Sequence, residues 1–382
     1  MALAFCFANS IHPAVPNRAR PATFLLPRLL CKSIGGVWSG RAATERSETH
    51  LLLCVCDHWE PGHGGVSSEQ ADARVAAWCN EYPRLFSRFR DADGRPPQHT
   101  FFYPIEMYRQ QEIERIAGLC RDGFGEVEVH LHHDNDTSEH LRHTLLDWKQ
   151  LLRKQFGLLS TDKAGGEVRY AFIHGNWSLD NSRPDGRWCG VNNELDVLRE
   201  TGCYADFTLP SYPSECQTRK INSIYYAVDD PQKPKSHDWG IDVGTAPRPA
   251  NSLMLIQGPL LLNWGRRKFG FLPRVENANL QANQPPDERR LELWLKAGIQ
   301  VLSRPDWVFV KLHTHGAPEK NQAVLLGDPM VRFHESLAAR SQADARFHFH
   351  YITARQMYNL ARAAEAGWSG SVDEARDFEL VR

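Results

Sequence analysis

The chain has 382 residues, of which 42% are hydrophobic, and this composition is typical of one large or two medium globular domains. The 45 Lys and Arg residues balance 46 Asp and Glu residues, so there is no basic excess that would bind nucleic-acid phosphates. Every apolar run is far shorter than the ~20 residues of a membrane helix, so no membrane span is expected.

The nine cysteines are an odd number without CxxC pairs, which favours reduced thiols and a cytoplasmic location over export. Residues 1–44 lack Asp and Glu but contain several arginines, a bias that resembles a transit peptide. We therefore expect a disordered leader, or one outside the fold, over 1–48. A single domain is expected over 49–365, followed by a polar C-terminal tail over 366–382.

Predicted strands and helices alternate from about residue 50 onward. The apolar run HLLLCVC (50–56) predicts a strand buried on both faces, and a capping box at Ser67 and Gln70 starts a helix that ends near Pro83. Further strands are predicted at 99–104, 126–132, 168–177 and 204–211, with helices at 137–157 and 192–202.

Residues 212–285 are rich in Pro, Gly and Asn and predict a long irregular insertion that contains one apolar run, SLMLIQGPLLL. A helix at 287–298, a strand at 306–316, a short strand at 347–352 and a last helix from Thr353 follow. This alternation predicts an α/β fold of parallel strands with helices outside, and six to eight strands suit an open or closed barrel.

The segment EVEVHLHHDND (126–136) has two different faces if it is a strand. Val127, Val129 and Leu131 would pack outward against helices, while Glu126, Glu128, His130 and His132 would point into the barrel. Burying so many ionisable groups is costly unless a metal ion or a closed hydrogen-bond network compensates them. Imidazole and carboxylate groups are the usual ligands of Zn²⁺ and similar ions.

Four predicted strands end in polar residues of the kinds that bind metals or transfer protons. The active site of a parallel barrel lies at the carboxyl ends of its strands, so these side chains should meet at one rim. In chain order they are Asp57 and His58 after the first strand, the histidines of VEVHLHH with Asp134 after the next, then His174, Asn176 and Trp177, and last His313 and His315. The pair His348 and His350 is interpreted as structural.

The order of these motifs resembles the polysaccharide deacetylase (NodB-homology) superfamily. The resemblance covers about residues 50–320 and rests on VCDHWEP, EVEVHLHHD, FIHGNW with ELDVLRETGCYADF, and VFVKLHTHG. It implies a distorted (β/α)7-type barrel that removes acetyl groups from a saccharide with one divalent metal ion. That ion would be Zn²⁺, with Co²⁺, Ni²⁺ or Mn²⁺ as alternatives.

The resemblance also implies residue roles. Asp57, His130 and Asp134 would hold the ion, with His132 as an alternative or supporting ligand. Asp57 or Glu60 would accept the proton of the attacking water, and His313 or His315 would protonate the leaving group. The substrate-binding residues would be Trp59, His174, Asn176 and Trp177, with Trp188 adding to a stacking wall for a sugar ring. The chain departs from the family where Cys56 replaces one acid of the first motif and Asp134 replaces a histidine.

Two other functions fit the same residues. A glycoside hydrolase on a related barrel would use two carboxylates, drawn from Glu60, Glu126 and Glu128, and would need no metal. A catalytically inactive carbohydrate-binding relative would explain the missing acid at Cys56.

Overall fold

The computed structural model describes residues 48–382, so the leader predicted over 1–48 lies outside the described residues except for its last position. Within that range no helix is long and apolar enough to cross a membrane. The helices, in chain order, are α1 (Ser68–Phe86), α2 (Gln110–Leu119), α3 (Ser138–Phe156), α4 (Glu194–Thr201), α5 (Glu288–Ala297), α6 (Glu319–Leu325), α7 (Asp328–Ala343), α8 (Ala354–Glu365) and α9 (Val372–Ala375).

The strands alternate with these helices over most of the chain. They are β1 (Thr49–His58), β2 (His99–Pro104), β3 (Gly125–Leu131), β4 (Ser160–Asp162), β5 (Val168–His174), β6 (Cys203–Asp206), β7 (Ile224–Val228), β8 (Ile241–Asp242), β9 (Ser252–Ile256), β10 (Leu261–Lys268), β11 (Leu272–Glu276), β12 (Asn279–Leu280), β13 (Trp307–Thr314), β14 (Phe347–Tyr351) and β15 (Leu380–Val381).

One large sheet organises the molecule. Its neighbouring strands run in the order β12, β13, β1, β2, β3, β5, β6 and β9, and every pair in this series is parallel. β7 joins β9 in antiparallel fashion, and β14 pairs with the first half of β1. The Leu209 carbonyl accepts hydrogen bonds from Gly258 N, just after β9, and from Lys311 Nζ on β13. These bonds connect the two ends of the parallel series, and the predicted α/β fold with parallel strands is confirmed.

The pleat separates two apolar layers. On β1, Leu51, Leu53 and Val55 belong to the layer that packs against the outer helices. Leu52 and Cys54 belong to an inner layer that also includes residues of α8, which is buried along most of its length. Because both faces of β1 are apolar, the sequence of this strand contains no signal for which face is which.

The predicted stripe of α3 is formed by Leu141, Leu145, Trp148 and Leu152, and all four are buried. Thr137 caps the start of the helix by accepting a hydrogen bond from His140 N. Gly157 ends it in a left-handed conformation with φ of 65°. A helix held in this way covers the outer face of the sheet beside β3 and β5.

Two segments are more regular than the sequence suggested. Residues 212–285 contain long loops but also form β7 to β12, and β9 is a member of the parallel series. Residues 366–382, predicted to be a tail, form α9 and β15, and the Arg376 guanidinium is buried against Asp91 and Asp93. This C-terminal segment is therefore part of the folded domain.

Alternation on β3 follows the expected pattern. Val127, Val129 and Leu131 lie in the outer layer. On the inner face, Glu126 pairs with Arg355 of α8 at 2.8 Å, and Glu128 accepts hydrogen bonds from Tyr204 Oη at 2.7 Å and Ala171 N at 2.6 Å. These two carboxylates thus belong to an internal hydrogen-bond network. The histidines further along β3 contribute to a different site at the strand ends.

Candidate active site

Glu60, two residues after β1, lies at the centre of a polar cluster at the carboxyl ends of the strands. Its Oε1 atom is 3.4 Å from His130 Nε2 and 3.2 Å from His132 Nε2. Its Oε2 atom is 3.2 Å from His315 Nδ1 and 3.0 Å from His63 Nδ1. A carboxylate that is only 2% exposed therefore contacts imidazoles from the ends of two strands, β3 and β13, and from the turn that follows β1.

The charges of this cluster are strongly coupled. Burial alone would raise the pKa of Glu60, but hydrogen bonds with His130, His132 and His315 lower it well below its usual range. Burial lowers the pKa of His132, but the Glu106 carboxylate and Glu60 together raise it to about 10. The site therefore favours a carboxylate at position 60 and positive charge close to it.

The ring of His130 is oriented by the neighbouring strand β5. Its Nδ1 atom is 2.7 Å from the carbonyl oxygen of Ile173, which can only accept a hydrogen bond, so Nδ1 carries a proton. In the neutral ring, the lone pair of Nε2 then faces Oε1 of Glu60. Metal-binding histidines take this arrangement, with one nitrogen fixed by a carbonyl and the other turned to the ion.

His58, the last residue of β1, adds a buried imidazole. Its ring centroid is 5.0 Å from that of His130 and 4.6 Å from that of His315. Burial and these neighbouring imidazoles lower the pKa of His58 well below its usual value. Within residues 48–382 its Nε2 atom finds no hydrogen-bond partner, so a buried polar atom next to Glu60 is left for a bound group.

Glu60, His130 and His132 fit a divalent metal ion. One potential ligand atom from each lies within 4.8 Å of the other two. Two imidazoles and one carboxylate form the protein ligand set of many catalytic zinc sites, which keep a further position for water or substrate. Glu106 bonds the other ring nitrogen of His132, as outer-shell carboxylates do for metal-binding histidines.

Asp57 lies on the face of β1 opposite to that of His58. Its Oδ2 atom is 2.9 Å from His99 Nε2, and its Oδ1 atom accepts a hydrogen bond from Gly316 N at 2.6 Å. A Cβ at Gly316 would lie 2.1 Å from Asp57 Oδ2, so the close approach depends on glycine. The structure thus brings Glu60, and not Asp57, together with His130 and His132, because Asp57 points to the outer face of β1 whereas Glu60 lies after the end of the strand at the rim.

Asp134 and His313 are also placed apart from Glu60. Asp134 is exposed, and its Oδ1 atom accepts a hydrogen bond from Trp188 N at 2.7 Å, which fixes a surface loop. His313 lies two residues deeper in the barrel than His315, and burial together with the Lys311 charge lowers its pKa well below the usual value. His313 and His315 are the two histidines predicted to protonate the leaving group. Of this pair, His315 is the one that contacts Glu60.

The predicted substrate-binding residues fall into three environments. Trp59 is fully buried and packs edge-on against Trp78 at 5.1 Å, so its ring is not available to a ligand. Trp177 is half-buried, and its ring centroid is 6.2 Å from both His58 and His315. Asn176 stands in the same turn, whereas His174 is buried beside His133 in a separate cluster.

Sequence reasoning missed Glu106 and His63 as members of the site. Glu106 follows β2 by two residues, so the rule that polar residues after a buried strand meet at the rim would have found it. His63 lies in a turn after Glu60 with no strand pattern around it, and it leaves no comparable signal.

Comparison with known proteins adds a distant structural likeness. No family model matches the chain, and no curated protein matches it. Among solved structures, an alpha-mannosidase from Enterococcus faecalis V583 superimposes with a TM-score of 0.42 and 9% identity. The match covers 82% of this chain but only 29% of the mannosidase, so the chain spans less than a third of that protein. At this identity and TM-score the likeness assigns no activity or substrate to the chain.

Proposed function

We propose that the chain is a metal-dependent hydrolase that removes acetyl groups from an N- or O-acetylated saccharide. The observation that carries the proposal is the group formed by Glu60, His130 and His132 at the carboxyl ends of the parallel strands, with His315 beside it. The order of sequence motifs that resembles the polysaccharide deacetylases supports the acetyl group as the target.

Glu60, His130 and His132 would hold one divalent ion. When bound, the ion would polarise the acetyl carbonyl and lower the pKa of a water molecule. The protein contributes the geometry, since the Ile173 carbonyl fixes the ring of His130 and Glu106 fixes the ring of His132. The buried Nε2 atom of His58 is a further polar group for the ion shell or the substrate.

His315 is the residue proposed to move the proton. Its Nδ1 atom faces Glu60 Oε2 at 3.2 Å, and its side chain is 28% exposed. An imidazole held by a carboxylate through Nδ1 can accept a proton at Nε2 from the attacking water. It can then return that proton to the leaving amine or alkoxide.

Trp177 is the proposed contact for the sugar. Its indole ring lies beside His58 and His315 and is half-buried, so one part of it is open to the rim. A flat apolar ring next to polar catalytic groups suits the apolar face of a pyranose. Asn176 in the same turn offers an amide for a sugar hydroxyl.

A glycoside hydrolase is the second candidate, because His132 bridges two carboxylates, those of Glu60 and Glu106. A pair of carboxylates is the machinery of most glycosidases. Glu126 and Glu128, the other acids that the sequence offers, are engaged by Arg355 and Tyr204 inside the barrel. The glycosidase candidate therefore rests on Glu60 with Glu106.

The deciding experiment combines metal analysis with two product assays on the full chain. We expect His130→Ala to lose one equivalent of divalent metal and to abolish acetate release from acetylated oligosaccharides. His315→Gln should keep the metal while lowering kcat by about 100-fold or more, the usual range for a general acid–base residue. His143→Ala, which changes an exposed histidine on α3, is the matched control and should behave as wild type.

Other outcomes point to other functions. Release of reducing sugar that survives metal removal but fails in Glu106→Gln would replace the deacetylase with the glycosidase. Metal binding and oligosaccharide binding without release of either product would identify a carbohydrate-binding relative. Loss of neither metal nor activity in His130→Ala would exclude this cluster as the active site.

A further inference from the structure

A second group of metal-binding residue types lies beside the first and is fully enclosed. It consists of His133 just after β3, His174 at the end of β5, Cys189 in the following loop and Glu194 at the start of α4. One potential ligand atom from each lies within 4.8 Å of all the others. The side chains of His133, His174 and Glu194 are at most 5% exposed, and Cys189 is fully buried.

The ring of His174 has the orientation of a metal ligand. Its Nδ1 atom contacts the Gly175 carbonyl, an acceptor, and therefore carries the proton. The unprotonated Nε2 atom then faces Glu194 Oε1 at 3.5 Å, and it has no hydrogen-bond donor within residues 48–382. Two acceptors enclosed at this distance are unfavourable without a neighbouring positive charge, which either a protonated His133, 3.1 Å from the same oxygen, or a metal ion in its place would supply.

His133 shows the matching pattern with a carboxylate as the outer partner. Its Nε2 atom is 3.1 Å from Glu194 Oε1, and its Nδ1 atom is 3.1 Å from Asp136 Oδ2. A carboxylate behind a metal-binding histidine fixes the ring and its tautomer. The Nδ1 and Oδ2 atoms do not have hydrogen-bond geometry, so Asp136 acts on the His133 ring through its charge, while Nε2 is directed to the centre of the cluster.

Cys189 Sγ is enclosed by polar partners on several sides. Its Sγ atom accepts hydrogen bonds from the backbone amides of Asn181 at 3.3 Å and Val191 at 3.4 Å. In the absence of an ion the thiol can donate its proton to Glu194 Oε2 at 3.4 Å or to the Val191 carbonyl at 3.6 Å, and burial beside Glu194 raises the pKa of this thiol. A metal ion would take the place of that proton, and the two backbone amides would then stabilise the negative charge on sulfur.

We propose that His133, His174, Cys189 and Glu194 form a second metal site, and that it holds a structural Zn²⁺ ion. Two imidazoles, one thiolate and one carboxylate supply four ligands, which completes a tetrahedral shell and leaves no position for substrate. The soft thiolate favours zinc over the hard ions Mg²⁺ and Ca²⁺. This site is distinct from the one proposed for catalysis, since it shares no residue with Glu60, His130 and His132.

The site would brace the loop that forms one side of the active-site rim. Its ligands join β3, β5 and α4, and the loop between His174 and Cys189 carries Trp177. His133 follows His132 directly, so an ion on His133 would also restrain His132, a proposed ligand of the catalytic ion. The second site would thus set the geometry of the first without contacting substrate.

The test uses the full chain and distinguishes the two sites. Wild-type protein purified with zinc should contain two equivalents, and His130→Ala and Cys189→Ser should each contain one. X-ray absorption of zinc-loaded His130→Ala, in which only the second site remains, should show one sulfur neighbour at about 2.3 Å. Cobalt-loaded wild type should show a thiolate charge-transfer band that Cys79→Ser keeps, since Cys79 is a half-buried thiol on α1.

Contrary results would separate the two sites. If zinc-loaded His130→Ala shows only nitrogen and oxygen neighbours, the second site does not exist, whatever the folding of Cys189→Ser. If wild type binds a single zinc with a sulfur neighbour and His130→Ala does not change this, the second site stands and the proposed catalytic metal fails. A single zinc without sulfur, lost in His130→Ala, would support the catalytic metal and overturn the second site.

Discussion

Asp57 and Glu60 are three residues apart, and the pleat of β1 with the turn after it gives them different tasks. Asp57 points outward and holds His99 and the backbone of Gly316, which connects β1, β2 and the segment after β13. Glu60 points to the rim and gathers the histidines. Two acids with the same intrinsic chemistry are thus separated into a structural residue and a candidate metal ligand.

Asp57→Ala should destabilise the fold while leaving metal stoichiometry unchanged. Removing a buried carboxylate that binds two partners costs about 2–4 kcal/mol of the free energy of unfolding, since His99 and the Gly316 amide lose their acceptor. Urea denaturation measures the first quantity and elemental analysis the second. Glu60→Gln serves as the contrast and should lose metal. Loss of metal in Asp57→Ala that is still folded would restore Asp57 as a ligand.

Gly175 allows His132 to occupy its place. A Cβ at Gly175 would lie 2.3 Å from Cδ2 of His132 and 2.8 Å from its Cα, so backbone as well as side chain would have to move. Gly175→Ala should therefore weaken metal binding at the catalytic site about 10- to 100-fold, the range seen when the support of a ligand is lost. Titration with cobalt measures this, and Gly118→Ala, whose Cβ meets nothing closer than 3.8 Å, should bind as wild type.

The site could be predicted from the sequence only where alternation was visible. EVEVHL alternates polar and apolar residues, so the inward direction of His130 followed from the pattern. HLLLCVC is apolar on both faces, so the same rule could not tell whether Asp57 or His58 points inward. The grouping of His133 and His174 with Cys189 depends on a loop that returns to β3, and no local pattern encodes that return.

At the scale of elements, α8 is connected to β3 through charge as well as apolar packing. Arg355 pairs with Glu126 through Nε at 3.0 Å and Nη2 at 2.8 Å, and Thr353 Oγ1 donates to the same carboxylate. The capping box at Thr353, visible in the sequence, places the first turn of α8 against this strand. The partner of Arg355 could not be predicted from the sequence, because Glu126 lies more than 200 residues away.

Arg355→Ala should lower the free energy of unfolding by about 3–5 kcal/mol, because it leaves the buried Glu126 carboxylate without a counter-ion. The double variant Arg355→Ala with Glu126→Gln should recover part of that loss. Arg88→Ala removes an exposed partner of Glu335 and should cost less than about 1 kcal/mol. Urea denaturation of these variants measures the differences, and equal losses in the single and double variants would show that the uncompensated charge is not the cause.

On the scale of the whole molecule, the inner layer contains a group of buried ionisable residues among its apolar side chains. Glu126, Glu128, Asp206 and Lys311 all lie within the barrel and are at most 9% exposed. Arg355, Tyr204 and backbone amides satisfy the glutamates, and Lys311 donates to the Leu209 carbonyl. The barrel interior is therefore a polar network between the apolar floor around α8 and the rim, and its stability should depend on pH.

Asp206 determines whether its own contribution to the free energy of unfolding rises or falls with pH, because its pKa is raised in the folded protein. Burial raises its pKa to about 7, against the hydrogen bonds from Thr208 and the charge of Lys311 on β13, which lower it, while Glu194 on α4 raises it further. In the unfolded chain an aspartate loses its proton near pH ~4. Between these values the folded state binds the extra proton, so the contribution of Asp206 to the free energy of unfolding falls as pH rises.

Asp206→Asn should remove that contribution. The amide oxygen can still accept the hydrogen bond from Thr208 N, which Asp206 Oδ1 accepts at 3.0 Å, and no proton is lost as pH rises. Relative to wild type, the variant should gain about 1–4 kcal/mol of the free energy of unfolding between pH ~5 and ~8, since each pKa unit corresponds to about 1.4 kcal/mol. Urea denaturation at both pH values measures this, with Asp147→Asn on the exposed face of α3 as the control. A variant with the same pH slope as wild type would mean that Asp206 is already ionised in the folded barrel, and that Lys311 compensates its charge.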